Sequence, residues 1–343
     1  MRIYSILLAA ALFPSLAIAG VPAQKLPPDI QAIVEKYRQD YRNAKLSPIP
    51  DITHTATGEF IDYGIIGPIK ETPGPLVFDQ TAVKFDADGI PLVKRRFIDG
   101  LHFNPVTVEQ FALAVYSRYL RGGDKAPFLN AADRLIREQK EDGSWRYHFE
   151  FRHYTMPKPY PDGWVSGLAQ GHSLSVFARA HHLTNDRRYL DAGSRALSFL
   201  LRTQDEGGPR STLGDLSPDL SGNVFFEEYI TDPDVYTLNG YIFILLGLYD
   251  WWKVTGSDEA KQAFEGGVDS LNKTVHLYDI EGFSTYDLAY ITNTDATNGV
   301  PHMDARYHRL HILLLRTLHS IAGVPAFKEI SDRWERSVSE DRD

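Results

Sequence analysis

The stretch LNGYIFILLGLYDWWKVTG (238–256), followed at once by SDEAKQAFEGGVDSLNKTV (257–275), decides the fold. Its first half is apolar nearly all round, as a helix buried on both sides should be. The second half carries a one-sided apolar stripe of Ala260, Ala263, Phe264, Gly267, Val268 and Leu271, so its other face meets water. Ser257 stands where a helix cap belongs, with Asp258 and Glu259 behind it at the positive end of the helix dipole. The run GYIFILLGLYDWW (240–252) is shorter than the ~20 apolar residues a membrane span needs, so it reads as a buried helix.

The same couplet recurs. TVEQFALAVYSRYLRGG precedes DKAPFLNAADRLIREQK, GWVSGLAQGHSLSVFARAHHLT precedes NDRRYLDAGSRALSFLLRT, and ARYHRLHILLLRTLHSIAG precedes VPAFKEISDRWERSV. Four such pairs predict a mainly α chain folded as an α/α toroid, with an inner ring of helices and an outer ring facing water. The connections 141–162, 203–235 and 274–304 are too long for simple turns. Each leaves an outer helix for the next inner one, so they should gather at one end of the ring, and loops of that kind tend to carry function.

Toward the N-terminus the pattern changes. Residues 28–43 read as one amphipathic helix, and 45–104 as a small β module rich in proline and glycine. Within it VKFDADGIPLVKRRF (83–97) reads as two strands joined at Asp88–Gly89. Arg2, the proline-broken apolar stretch Ile6–Ala19 and the small residues before Gly20 fit a cleaved export signal. The expected division is thus a signal peptide at 1–19, a helix and β module at 20–104, and a helical catalytic domain at 105–343. The expected location is periplasmic or extracellular, with no membrane span left after cleavage.

The chain has 343 residues, 43% of them hydrophobic and 24% charged, enough for a sizeable core without crosslinks. Having no cysteine, it forms no disulfide, thiolate metal site or thiol nucleophile. The formal charge is −9, or −10 once Arg2 leaves with the signal, which argues against general nucleic-acid binding. An acidic polymer would need a local basic site. KRR at 94–96 is one candidate, and a solvated strand edge explains it equally well.

Three clusters carry candidate chemistry. GWVSGLAQGH (163–172) opens an inner helix with two glycines four apart, and sets Gln170 and His172 among apolar residues. FFEEYITDP (225–233) puts Glu227, Glu228 and Tyr229 just before another inner helix. GFSTYDL (282–288) is followed by ARYHRLH (305–311), where Tyr307 and His311 share a helix face. No H-E-x-x-H, G-x-S-x-G, P-loop or G-x-G-x-x-G motif occurs, so hydrolytic zinc, serine-hydrolase and nucleotide chemistry are disfavoured. Glu228 and Asp287 would be the pair for glycoside hydrolysis. SPDLSGN (217–223) is a weak oxygen-ligand candidate for a structural calcium ion, and no other metal is indicated.

Taken in order, NPVTVEQFALAVYS, WVSGLAQGHSLSVFARAHHLT, EEYITDPDVYTLNGYIFILLGLYD, YDL and YHRLHILLL resemble the glucuronyl C5-epimerase family over roughly residues 103–335. The hairpin FDADGIPLV resembles the β region that precedes that family's helical domain. The resemblance implies an α/α barrel acting on an acidic polysaccharide, with no cofactor required. It also implies that Tyr229, Tyr286 and Tyr307 surround the reacting sugar, with Glu228 beside the first. Trp164, Gln170, His172, Asn239, His308 and His311 are the further substrate-binding candidates. In well-studied members YDL is followed by an arginine; here the next residue is Ala289.

The implied chemistry suits tyrosines. Inverting a uronate at C5 removes the proton alpha to the carboxylate and returns one from the other face. Tyrosine has an ordinary pKa of about 10, so tyrosinate is a strong base and phenol a usable acid. A base tyrosine is expected to have its pKa lowered by a nearby cation or donors, and the enolate needs donors where its charge develops. A polysaccharide lyase would share the first step, and a non-catalytic glycan-binding protein would share the fold; the sequence separates neither from an epimerase.

Overall fold

The computed structural model describes residues 26–44, 49–50, 52–61, 81–95 and 99–339. The expected signal segment, the stretch 62–80 and Arg96 of KRR lie outside these residues. In chain order the elements are α1 (Ile30–Asn43), β1 (Thr81–Phe85), β2 (Pro91–Arg95), α2 (Pro105–Leu120), α3 (Ala126–Glu138), α4 (Gly167–Thr184), α5 (Arg187–Leu200), β3 (Arg210–Thr212), β4 (Val224–Phe226), α6 (Leu238–Thr255), α7 (Asp258–Thr274), β5 (Asp279–Ile280), β6 (Phe283–Ser284), the single turns α8 (Ala289–Thr292) and α9 (Thr294–Thr297), α10 (Ala305–Ala322) and α11 (Pro325–Ser339).

The four pairs are α2/α3, α4/α5, α6/α7 and α10/α11, and the inner helices pack in the order α2, α4, α6, α10. The chain is mainly α, as read from the pattern of apolar residues. Asn185, Gly256 and Gly323, each left-handed, end α4, α6 and α10 and turn the chain directly into the outer partner. Ser257 caps α7 through the Ala260 N–H at 3.2 Å, as its position predicted. Because the turns are short at one end, the three long connections all lie at the other, beside the N-termini of α4, α6 and α10.

The closest helix contact joins α4 and α6. A Cβ built at Gly247 would overlap the carbonyl oxygen of Gly171, and one at Gly171 would lie 2.6 Å from Ile244 Cα. Both neighbours are backbone and cannot give way, so two bare glycines are what let these helices meet. The approach draws the loops before the two helices together, and those loops carry the candidate site.

The opposite end of the ring is plugged. The segment 52–61, expected to be part of a β module, forms no strand, because its backbone finds helix side chains instead of a strand partner. His54 N–H donates to Ser320 of α10 and Phe60 N–H to Ser117 of α2. Arg179 of α4 donates to the carbonyls of Thr55 and Gly58, and the His54 ring bonds Asp250 of α6 at 2.7 Å. Arg179 also pairs with Asp250 at 2.6 Å, both fully buried. All four inner helices thus hold one segment, and the ring becomes a cup. Among the described residues the only strands before α2 are β1 and β2, paired antiparallel from Thr81↔Arg95 to Phe85↔Pro91. Helix α1 does not stand apart; it packs on α10 and α11, with Tyr41 edge-on to His308 at 5.6 Å. Among the described residues no helix is long and apolar enough to cross a membrane.

Candidate active site

At the mouth of the cup the three connections converge. The Gly167 N–H at the start of α4 donates to the Glu228 carbonyl at 3.1 Å, and Glu227 N–H to that of Pro209. The Leu238 N–H at the start of α6 donates to the Tyr286 carbonyl at 3.0 Å, while Tyr286 N–H donates to that of His302 at 2.6 Å. Asp304 caps α10 by accepting from Arg306 and Tyr307, which fixes Tyr307 in the first turn. Backbone bonds and caps therefore hold Glu228, Tyr286 and Tyr307.

These side chains come together. The Tyr286 and Tyr307 rings lie 4.5 Å apart, and the Tyr286 hydroxyl hydrogen-bonds that of Tyr307. Tyr229 donates its hydroxyl to the Glu228 carboxyl. The charge of Glu228 reaches both Tyr286 and Tyr307. Phe151 stacks on Tyr229 at 5.4 Å, and His153 lies 4.9 Å from the same ring. The loop before α4 thus covers Tyr229.

The electrostatics differ from the sequence expectation. Burial, and then the Glu228 charge, push the Tyr286 and Tyr307 phenols well above the ordinary tyrosine value. Every charge that reaches Tyr286, from Glu228, Tyr229, Tyr307 and Asp287, opposes its ionisation. Tyr286 and Tyr307 rest as phenols. Glu228 is the group poised near neutrality. Burial raises its carboxyl to about 7, against the lowering effect of the Tyr229 hydroxyl. Its second oxygen has no hydrogen-bond partner among the described residues and faces Gly240 of α6, where a Cβ would overlap it.

The other candidates divide. Asn239, in the first turn of α6, is buried with its carbonyl oxygen unpartnered, and Gln170 leaves its own oxygen unpartnered while its amide donates to Ser166. His311 keeps a free Nε2 and stacks near Tyr307 at 6.2 Å. Trp164 serves the wall: it stacks on Tyr147 at 4.0 Å and donates its indole N–H to Phe149. His308 stands away from the tyrosine pair, stacked on Phe283 at 3.8 Å, with Nδ1 accepting from Ser284 N–H. His172 sits edge-on to Phe60 and Phe243, toward the plug, and burial drives it down to about 3. Neither of these last two is placed to steady an enolate at the tyrosines. Ala289 is fully buried and gives its N–H to Asp287, so no charge stands at that position. Asp287, also fully buried, accepts the Tyr154 hydroxyl at 2.6 Å; it is engaged in the wall and does not face Glu228 as a second hydrolytic carboxylate.

Four residues at or near this end escaped the sequence reading. His153, Tyr154 and His302 line the mouth, and Glu109 on α2 is fully buried with both oxygens unpartnered within the protein. A lone glutamate in an apolar inner helix was the one available signal. Among the described residues no three His, Cys, Asp or Glu side chains converge as metal ligands. Ser217 in SPDLSGN caps a short turn through the Asp219 N–H.

The family described as D-glucuronyl C5-epimerase C-terminus matches residues 138–336, from the last residue of α3 into α11. Over 219 residues the chain is 32% identical to D-glucuronyl C5-epimerase of Caenorhabditis elegans, covering 60% of this chain and 34% of that protein. It therefore spans about a third of that relative's length. It is also 25% identical over 256 residues to an uncharacterized protein of Methanocaldococcus jannaschii, covering 68% of this chain and 77% of the other.

Proposed function

The chain belongs to the D-glucuronyl C5-epimerase C-terminus family, and from that premise we propose that it inverts D-glucuronate to L-iduronate, or an equivalent uronate pair, within an acidic polysaccharide. The observation that carries this reading is a buried carboxyl, pushed up to about 7, that holds the Tyr229 hydroxyl and whose charge reaches two further phenols. A proton acceptor near neutrality and donors of high pKa are what a two-face proton exchange requires.

In the proposed sequence Glu228 takes up the C5 proton through Tyr229. The Tyr229 phenol passes its proton to the carboxylate as its oxygen receives the one from carbon, so no free tyrosinate builds up. The electron pair moves onto the substrate carboxylate as an enolate. Tyr286 and Tyr307, hydrogen-bonded to each other, return a proton to C5 from the opposite face. Asn239, Gln170 and His311 offer the polar atoms that a bound sugar would satisfy. The burial that keeps Glu228 near 7 also excludes water from the enolate.

The test is proton NMR of candidate uronate polymers incubated with the protein in heavy water. Deuterium entering C5 together with new iduronate signals, the chain remaining intact, is the expected result. Growing ultraviolet absorbance from an unsaturated product would show elimination of the C4 oxygen and a lyase instead. Absence of exchange on every uronate polymer would leave a glycan-binding protein.

A further inference from the structure

The proposed reaction puts negative charge on a sugar that already carries a carboxylate, and the groups whose charge reaches Tyr286 are all acids. Arg306, the cation whose charge reaches Tyr307, is held by Asp304 through Nε at 3.0 Å and a terminal nitrogen at 2.7 Å. The mouth of the cup holds another basic group. His302 is fixed by its backbone: its carbonyl accepts from Tyr286 N–H at 2.6 Å and from the Thr285 hydroxyl at 3.0 Å. Its ring lies 5.0 Å from Tyr286 and 4.9 Å from Tyr154.

The two edges of that ring differ. Nδ1 is buried, lies 3.9 Å from a carboxyl oxygen of Asp287, and has no hydrogen-bond partner among the described residues. The side chain as a whole is 41% exposed, so part of the ring is open beside Tyr286 and Tyr154. A doubly protonated imidazole donates from both nitrogens, so with Nδ1 turned to the Asp287 carboxyl the other N–H is left to point away from it. The further titratable neighbours are Tyr286 on the same loop and Tyr154 and His153 on the loop before α4. Tyr154 donates to Asp287, and His153 is neutral, driven by burial down to about 4. Nothing in this set competes with His302 for an incoming anion.

We propose that His302, backed by Asp287, is the group that receives the carboxylate of the uronate and so makes the site specific for acidic sugars. This deepens the proposed function and rests on it for the identity of the sugar. The arrangement makes recognition of the acid depend on pH, because only a charged imidazole donates from both ring nitrogens.

Binding, which needs no turnover, tests this. Affinity for a glucuronan oligosaccharide and for its carboxyl-reduced counterpart would be measured by calorimetry at pH 6 and pH 8. The native chain should prefer the acid by about tenfold at pH 6 and less at pH 8. His302→Gln should lose the preference at both values, while His302→Arg should keep it and make it independent of pH. Arg306→Gln should leave it unchanged. In the native chain, the ring resonances of His302 should titrate at higher pH when the acidic oligosaccharide is added, and not with the reduced one. A preference that survives in His302→Gln, that follows Arg306→Gln, or that is missing from the native chain overturns the assignment. Acid-dependent binding without C5 exchange would sink the epimerase reading alone.

Discussion

Glu228→Gln separates the stability of this protein from its chemistry, and the structure sets the size of the effect. In the unfolded chain the carboxyl titrates at its ordinary 4.5; in the fold burial raises it to about 7. A group with a raised folded pKa adds stability that is fully present below the unfolded value and is lost as pH rises through the folded one. For Glu228 the loss between those two points is about 3 kcal/mol. Glutamine carries no charge at any pH and keeps an oxygen to accept from Tyr229. The variant should therefore melt with the native chain near pH 4 and about 5 °C above it at pH 8. Relief of the neighbouring Glu227, whose carboxyl the Glu228 charge also pushes up, adds to the effect in the same direction. Thermal melts across pH 4–8.5 followed by circular dichroism provide the measurement. A gap that stays constant with pH, or a Glu228 carboxyl resonance that titrates near 4.5, would refute the reasoning.

Gly240→Ala should drive the Glu228 carboxylate out of place, since the new Cβ would also lie 2.7 Å from Glu228 Cβ; kcat should fall by about 10² while stability changes by about 1–3 kcal/mol, as steady-state rates and melts will show. Tyr286→Phe and Tyr307→Phe should each lower kcat by about 10²–10⁴ with little change in substrate affinity, read from rates and calorimetry. Asp250→Asn leaves Arg179 and His54 buried without their anion and should cost about 3–5 kcal/mol in urea unfolding at pH 7. Because Arg179 and the His54 hydrogen bond hold the Asp250 carboxyl below its ordinary value, its contribution is present above the unfolded pKa and is lost as pH falls, so the deficit should shrink in acid.

The helix pairs were legible because burial on two faces or on one leaves different residue patterns, as 238–256 and 257–275 show. The glycines at 167 and 171 marked a bare helix face; that Gly247 would meet Gly171 across α4 and α6 needed the third dimension. Residues 52–61 looked β-like because extended backbone reads the same whether its partner is a strand or a set of serine and arginine side chains. The three tyrosines and Glu228 were found through short motifs. Their protonation was not, since it depends on burial that no local pattern encodes: Tyr286 and Tyr307 are pushed up, and burial brings the Glu228 carboxyl near neutrality. His153, Tyr154 and His302 lie on irregular loops whose ring contacts, His153 with Tyr229 and Tyr154 with His302, join segments far apart in the chain, and such contacts leave no period to read.

The central claim is that a proton moves between C5 of a uronate and Glu228 through Tyr229. The direct measurement is the rate of deuterium entry at C5 of a glucuronan in heavy water, native chain against Glu228→Gln, each verified as folded by its melt. The account predicts steady exchange in the native chain and a rate lower by at least about 10² in the variant. Exchange at the native rate without the Glu228 carboxyl would contradict it.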